Sequence, residues 1–241
     1  MLRDDQVERV LVVTAHPDDV DFAAAGTVAT WTKRGIEVTY CVVTDGDAGG
    51  FDPEVPRADI AGVRRREQRS AAEVVGVTDV TFLGYPDGRL TVGVGLRRDL
   101  TKVIRRTRPQ RVLCQASTRN YEVIYASHPD HLAAGEATLC AVYPDARNPF
   151  AYPELLDEGL AEWTVPEVWV MGTGSDRPAN HAVDITDVYD MKKQALLAQA
   201  SQMPGIADLD ALLTGWNGEV ARRAGLPQGR LAEEFLVCDT A

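Results

Sequence analysis

The sequence predicts an α/β fold, with a mostly parallel central sheet covered by helices on both faces. Three observations carry this reading. Short apolar runs alternate with helix-like segments along most of the chain. The first such run, Val10-Leu11-Val12-Val13-Thr14, is mostly β-branched and has no polar face, which suits a strand buried on both sides. With 241 residues, 45% of them hydrophobic, the chain can bury a substantial core as one domain spanning 1–241.

Each element has its own signal. Val10 to Thr14 is the first strand. Ala23 to Arg34, small and apolar and closed by Gly35, reads as the first helix, and Val38 to Val43 as the second strand. Thr44 to Pro56 is a long loop at the same sheet edge, a length at which loops are often functional. Asp59 to Val75 is a helix stopped by Gly76, its charges mostly a solvated face, and Val80 to Leu83 is the third strand. Leu96 to Arg106 forms a helix that ends before Pro109, and Arg111 to Cys114 forms the fourth strand. Gln115 to Ser127 is a polar loop, after which His128-Pro129-Asp130-His131 opens a helix running to about Val142. Val168 to Met171 is a further strand, and Thr186 offers a side-chain oxygen to cap a helix from Val188 to about Gln199. The remainder, through Trp216 and Arg222 to Val237, carries the weakest pattern.

Charge narrows the function. A net charge of -11 argues against an electrostatic footprint for nucleic acid or an anionic membrane surface. Met1 to Asp5 has no apolar signal core, and no apolar run is long enough to span a bilayer, so a cytoplasmic protein is expected. Cys41, Cys114, Cys140 and Cys238 show no paired metal spacing and read as reduced core residues. Association between copies of the chain is left open.

The chemistry gathers where strands end. Three of the four histidines, His16, His128 and His131, lie in two histidine-aspartate clusters, each following a strand. Ligands of open α/β sheets bind at that edge. A catalytic zinc site needs three protein ligands, commonly histidines and a carboxylate, with an open position for water. His16, Asp19 and His131 are able to supply that set. Taken singly, each cluster has an ordinary explanation: Asp18 and Asp19 as helix caps, Asp130 as a favourable charge at a helix start. Two clusters in register with two strand ends favour a metal site. His181 has no such neighbours and reads as a loop histidine.

Ala15-His16-Pro17-Asp18-Asp19, followed by His128-Pro129-Asp130-His131, resembles the LmbE-like, or PIG-L, family of zinc-dependent N-acetylglucosamine deacetylases. The resemblance extends through Thr44 to Gly49, the helix around Arg64 to Glu67 and Asn180 to Thr186 toward Ser201-Gln202. Three places depart from the family pattern: Val20, Ala24-Ala25 and Gln199. The resemblance implies a Rossmann-like single domain, bound Zn2+ and hydrolysis of the acetamido group of a small amino-sugar substrate. It makes His16, Asp19 and His131 the metal ligands and Asp18 the general base. It makes His128 the electrophilic or general-acid residue, with Asp130 orienting it and favouring its imidazolium. Arg64 and Asp47 become the contacts to sugar hydroxyls. Candidate substrates are a thiol-cofactor precursor, a glycosylated natural product or a chitooligosaccharide. A nucleotide-binding oxidoreductase is disfavoured, since no Gly-x-Gly-x-x-Gly follows the first strand. A non-catalytic sugar-binding or regulatory module would not need Asp18 and His128 beside three ligands.

Overall fold

The computed structural model describes residues 1–50, 52–124, 127–174, 177–204 and 206–240. Strands β1 (Arg9–Thr14), β2 (Glu37–Thr44), β3 (Asp79–Tyr85), β4 (Arg111–Gln115), β5 (Glu167–Met171), β6 (His181–Asp184) and β7 (Ala232–Asp239) form a seven-stranded sheet. Their order is β3-β2-β1-β4-β5-β7-β6. The first five are parallel, while β7 runs antiparallel to both β5 and β6. All of β1 beyond Arg9 is buried, as a run without a polar face requires.

Helices α1 (Asp19–Ala23), α2 (Ala25–Lys33), α3 (Arg57–Val74), α4 (Val94–Thr107), α5 (Pro129–Cys140), α6 (Glu154–Asp157), α7 (Tyr189–Ala198) and α8 (Leu209–Arg223) surround the sheet. The core has two parts, as a sheet covered on both faces requires. One packs around Val10, Val12, Trp31, Trp169 and Phe235, the other around Leu11, Val13, Leu100, Ile104 and Val112. Successive β1 residues thus serve opposite cores, following the period of two along a strand. Strand order runs outward in one direction through β2 and β3 and in the other through β4 and β5. The gap between the C-terminal ends of β1 and β4 is therefore the topological switch point, where ligands of such sheets bind.

Several elements differ from expectation. The expected first helix is two helices broken at Ala24 (φ -146°, ψ 4°). The cause lies far along the chain: the Glu233 carboxylate of β7 accepts hydrogen bonds from the amides of Gly26 and Thr27, so α2 starts anew there. Buried Lys192 holds Glu233 in turn at 2.7 Å. The expected Thr186 cap is also replaced. Asp184 accepts from the Thr186 amide and hydroxyl at 3.0 and 2.6 Å, and a short 3-10 turn intervenes before α7. His181 opens edge strand β6 rather than lying in a loop, its ring edge-on to Trp169 at 4.9 Å. Four half-buried residues are too few to show an alternating pattern. Among the described residues, no helix is long and apolar enough to cross a membrane.

Candidate metal centre

His16 lies just past β1, and Pro17 behind it delays the helix until Asp19. Between them Asp18 adopts the left-handed conformation (φ 85°), with its amide donating to Gln68 Oε1 at 2.7 Å. His131 lies in the first turn of α5, which approaches β4 closely. A Cβ on Gly135, one turn further along, would lie 2.3 Å from the Gln115 carbonyl oxygen. Gln115 ties the two strand ends together by accepting from the Ala15 amide at 2.9 Å.

The two predicted clusters converge. His16 Nδ1 is 3.2 Å from His131 Nε2 and 3.5 Å from Asp19 Oδ2, and His131 Nε2 is 3.0 Å from Asp19 Oδ1. Zinc–ligand bonds of about 2.0–2.1 Å in tetrahedral geometry place neighbouring donors roughly 3.3 Å apart, so this set fits the ion. On its other side the His16 ring meets carboxylates, with Nε2 3.0 Å from Asp87 Oδ1 and 3.3 Å from Asp130 Oδ2. Backbone amides fix both acids: Ala48 donates to Asp87, Gly88 and Leu90 to Asp130. Carboxylates on the far nitrogen of a ligating histidine set its tautomer and orientation. Two further groups, His16 with His128 and His131, and His16 with Asp87 and Asp130, also have donors within 4.8 Å of one another. The Nδ1 set draws on both clusters at tetrahedral spacing and leaves Nε2 to its carboxylates.

The electrostatics follow from burial and pairing. Burial alone would lower His16, but hydrogen bonds to Asp130, Asp19 and Asp87 push it up to about 12. Burial favours neutral Asp19, yet His131 and His16 hold its carboxyl well below the usual range. Burial raises Asp18 to about 7 against the opposing charge of Arg64. His128 is lowered by its own burial and by the neighbouring His16, with Asp130 too weak to reverse this.

The side chains around the donor set make contacts of their own. Asp130 turns its carboxylate to His16 rather than to His128, because Gly88 and Leu90 anchor it there; only its backbone amide donates to His128 Nδ1, at 3.2 Å. With Nδ1 accepting from that amide, Nε2 is the nitrogen left to carry a proton on a neutral His128 ring, the form that burial favours. Arg64 is buried, not part of a solvated face. It donates to Asp18 Oδ2 at 3.0 Å and to the carbonyls of Pro17 and Gly46, and Gly46 and Gly49 leave room for its guanidinium. Asp47 faces Arg57 at 2.7 Å and accepts from the Asp87 amide, so it braces the loop below the site. Arg65 pairs with Asp45, and Arg66 is exposed.

Sequence reasoning misses Asp87, Gln68 and Gln115. Pro86-Asp87-Gly88 reads as an ordinary turn. Its place just after β3, at the same sheet edge as His16, is the signal that finds it.

The sequence signature of the GlcNAc-PI de-N-acetylase family, PIG-L, matches residues 11–142. A diacetylchitobiose deacetylase of Thermococcus kodakarensis is 33% identical over 198 residues, covering 82% of this chain and 71% of that one. A 1D-myo-inositol 2-acetamido-2-deoxy-alpha-D-glucopyranoside deacetylase of Rhodococcus erythropolis is 27% identical, over 81% of each chain. Among solved structures, N,N'-diacetylchitobiose deacetylase from Pyrococcus horikoshii superposes with a TM-score of 0.88 at 28% identity, covering 98% of this chain and 85% of that one. Fold, strand-end clusters and relatives agree, and the chain belongs to the PIG-L, or LmbE-like, deacetylase family.

Proposed function

We propose that residues 1–241 act as one cytoplasmic, zinc-dependent hydrolase domain. Its reaction removes the N-acetyl group from a small molecule containing N-acetylglucosamine and releases acetate. The observation that carries this reading is the closure of His16 Nδ1, Asp19 and His131 Nε2 at 3.0 to 3.5 Å, beside a carboxylate, Asp18, that ligates nothing in that set. Bound there, zinc supplies Lewis acidity, which acidifies water and polarises a carbonyl.

The chain's own groups supply the rest. Asp18, raised to about 7, is ionised over enough of the neutral range to take a proton from the attacking water. Arg64 clamps that carboxylate toward the site through Oδ2, so its main contribution is to hold the base. The neutral His128 ring, with its proton on Nε2, serves as a donor to the oxyanion that develops on the acyl carbon. Collapse breaks the carbon–nitrogen bond, and the proton held by Asp18 passes to the departing amine. Asp87 and Asp130 keep the His16 ring oriented throughout. In this reading Asp47 shapes the sugar side of the site through its hold on Asp87 and Arg57.

The test is product analysis. Zinc-loaded protein is incubated with N-acetylglucosamine, N,N'-diacetylchitobiose and an N-acetylglucosaminyl inositol. Equal amounts of acetate and free amine from at least one of them support the reading. Absence of both across the panel, with one zinc per chain, counts against it.

A further inference from the structure

A cleft of about 300 Å3 opens directly beside the donor set and is lined by both Asp19 and His131. Its remaining wall is largely apolar: Phe22, Ala116, Leu132, Met171 and Trp216. These come from the β1, β4 and β5 edge, from α5 and from α8. Asp18, Arg64, Asp47 and Asp87 are absent from that wall and stand instead toward β2 and β3. The site therefore divides at the donor set, charged and hydrogen-bonding on one side, mostly apolar on the other, where Gln115 and Thr118 are the polar side chains of the wall besides Asp19 and His131. Trp216, 47% exposed, forms the outer end and meets Phe22 edge-on with centroids 6.5 Å apart. It stands on α8, beyond the 11–142 span of the family signature.

An amide substrate presents two substituents to such a divided site. The sugar carries hydroxyls that need polar partners, while the acyl group offers only carbon and hydrogen past its carbonyl. Resting on the deacetylase reading, we propose that the cleft is the acyl side of the active site and admits linear acyl groups longer than acetyl. The protein then also hydrolyses N-butyryl and N-hexanoyl amides of glucosamine. A water's share of liquid is about 30 Å3, close to one methylene, so about 300 Å3 holds on the order of ten such units, where acetyl fills two. The step is the same hydrolysis: water oxygen bonds to the acyl carbon, the carbon–nitrogen bond breaks, the fatty carboxylate leaves and the amine takes the proton.

The experiment measures kcat/KM for N-acetyl-, N-butyryl- and N-hexanoylglucosamine with zinc-loaded wild type and Trp216→Ala. Tryptophan emission is recorded in parallel as acetate or hexanoate is added to wild type and to Trp216→Phe. Expected are a butyryl kcat/KM no more than tenfold below that of acetyl and a hexanoyl-to-acetyl ratio that falls tenfold or more in Trp216→Ala. Hexanoate, but not acetate, should shift emission to the blue in wild type and leave Trp216→Phe unmoved. Cleavage of the acetyl amide alone, with no response to hexanoate, overturns the acyl assignment and leaves the deacetylase reading standing. If no amide is cleaved yet hexanoate moves the Trp216 signal, the deacetylase reading fails while the cleft remains an acyl site. Should Trp216→Ala change selection among glycosides substituted at the anomeric oxygen but not among acyl lengths, the cleft belongs to the sugar's substituent and the proposal is wrong.

Discussion

Asp18 shows how one residue's environment decides its chemistry. Its left-handed backbone, its amide on Gln68 and its carboxylate on Arg64 leave it a half-buried carboxylate beside His16, Asp19 and His131, placed for the proposed role of base. Arg64 holds that carboxyl down against burial, so removing it should raise the Asp18 pKa. Because the base must be ionised, the acidic limb of kcat/KM against pH should move to higher pH in Arg64→Ala. Activity at neutral pH should fall on the order of tenfold or more with zinc content unchanged. A sugar contact alone would raise KM and leave the limb in place. Arg65→Ala, losing a partly exposed pair with Asp45 and a stacking contact on Phe82 away from the donor set, should change little. At His128 the neutral-donor role has its own signature: His128→Ala should lose on the order of 10²–10³ in kcat. His128→Gln, which restores a donor, should recover at least tenfold of that; equal losses in both variants would favour proton transfer instead. The convergence of His16, Asp19 and His131 was legible because histidines are few and cluster at strand ends. Arg64 was not, since its inward turn depends on glycines 18 and 15 positions earlier in the chain.

Elements deliver these residues, and Gly135 is where one of them is tested. A methyl group there collides with the Gln115 carbonyl at 2.3 Å, and backbone on both sides gives little. Gly135→Ala should push α5 off β4, lowering zinc affinity at least tenfold and the thermal midpoint together, as isothermal titration and calorimetry would show. Retention of full affinity would mean that α5 does not need this approach to place His131. Strands β1 to β5 and helices α3 to α5 were readable from period and punctuation, within a few residues at their ends. The α1/α2 break was not, because its cause is Glu233, about 200 residues away. Strands β6 and β7 were also hidden: one is four residues long, and the other lies on the sheet's antiparallel side, where acidic residues interrupt its apolar run.

Across the whole molecule, burial of ionisable groups predicts how stability follows pH without metal. His16 titrates near 12 in the fold but near 6.5 unfolded, and Asp18 and Asp21 near 7 rather than 3.8. The folded chain thus holds more protons than the unfolded chain above pH 6.5, and stability there falls as pH rises. His128 and His181, both lowered, act oppositely, mainly below 6.5 and fading within about one pH unit above it. The thermal midpoint in chelator should therefore drop between pH 6.5 and 8.5. Zinc displaces the proton from His16, so its stabilisation should grow over the same interval; a midpoint that rises with pH in chelator would refute the charged His16. The most direct test of the account is zinc per chain and acetate released, measured on the same preparations of wild type, His131→Ala and Asp18→Asn. Wild type should hold one zinc and turn over, His131→Ala should lose most of its zinc, and Asp18→Asn should keep its zinc and lose turnover. Zinc retained in His131→Ala, or turnover retained in Asp18→Asn, would contradict the division between ligand and base.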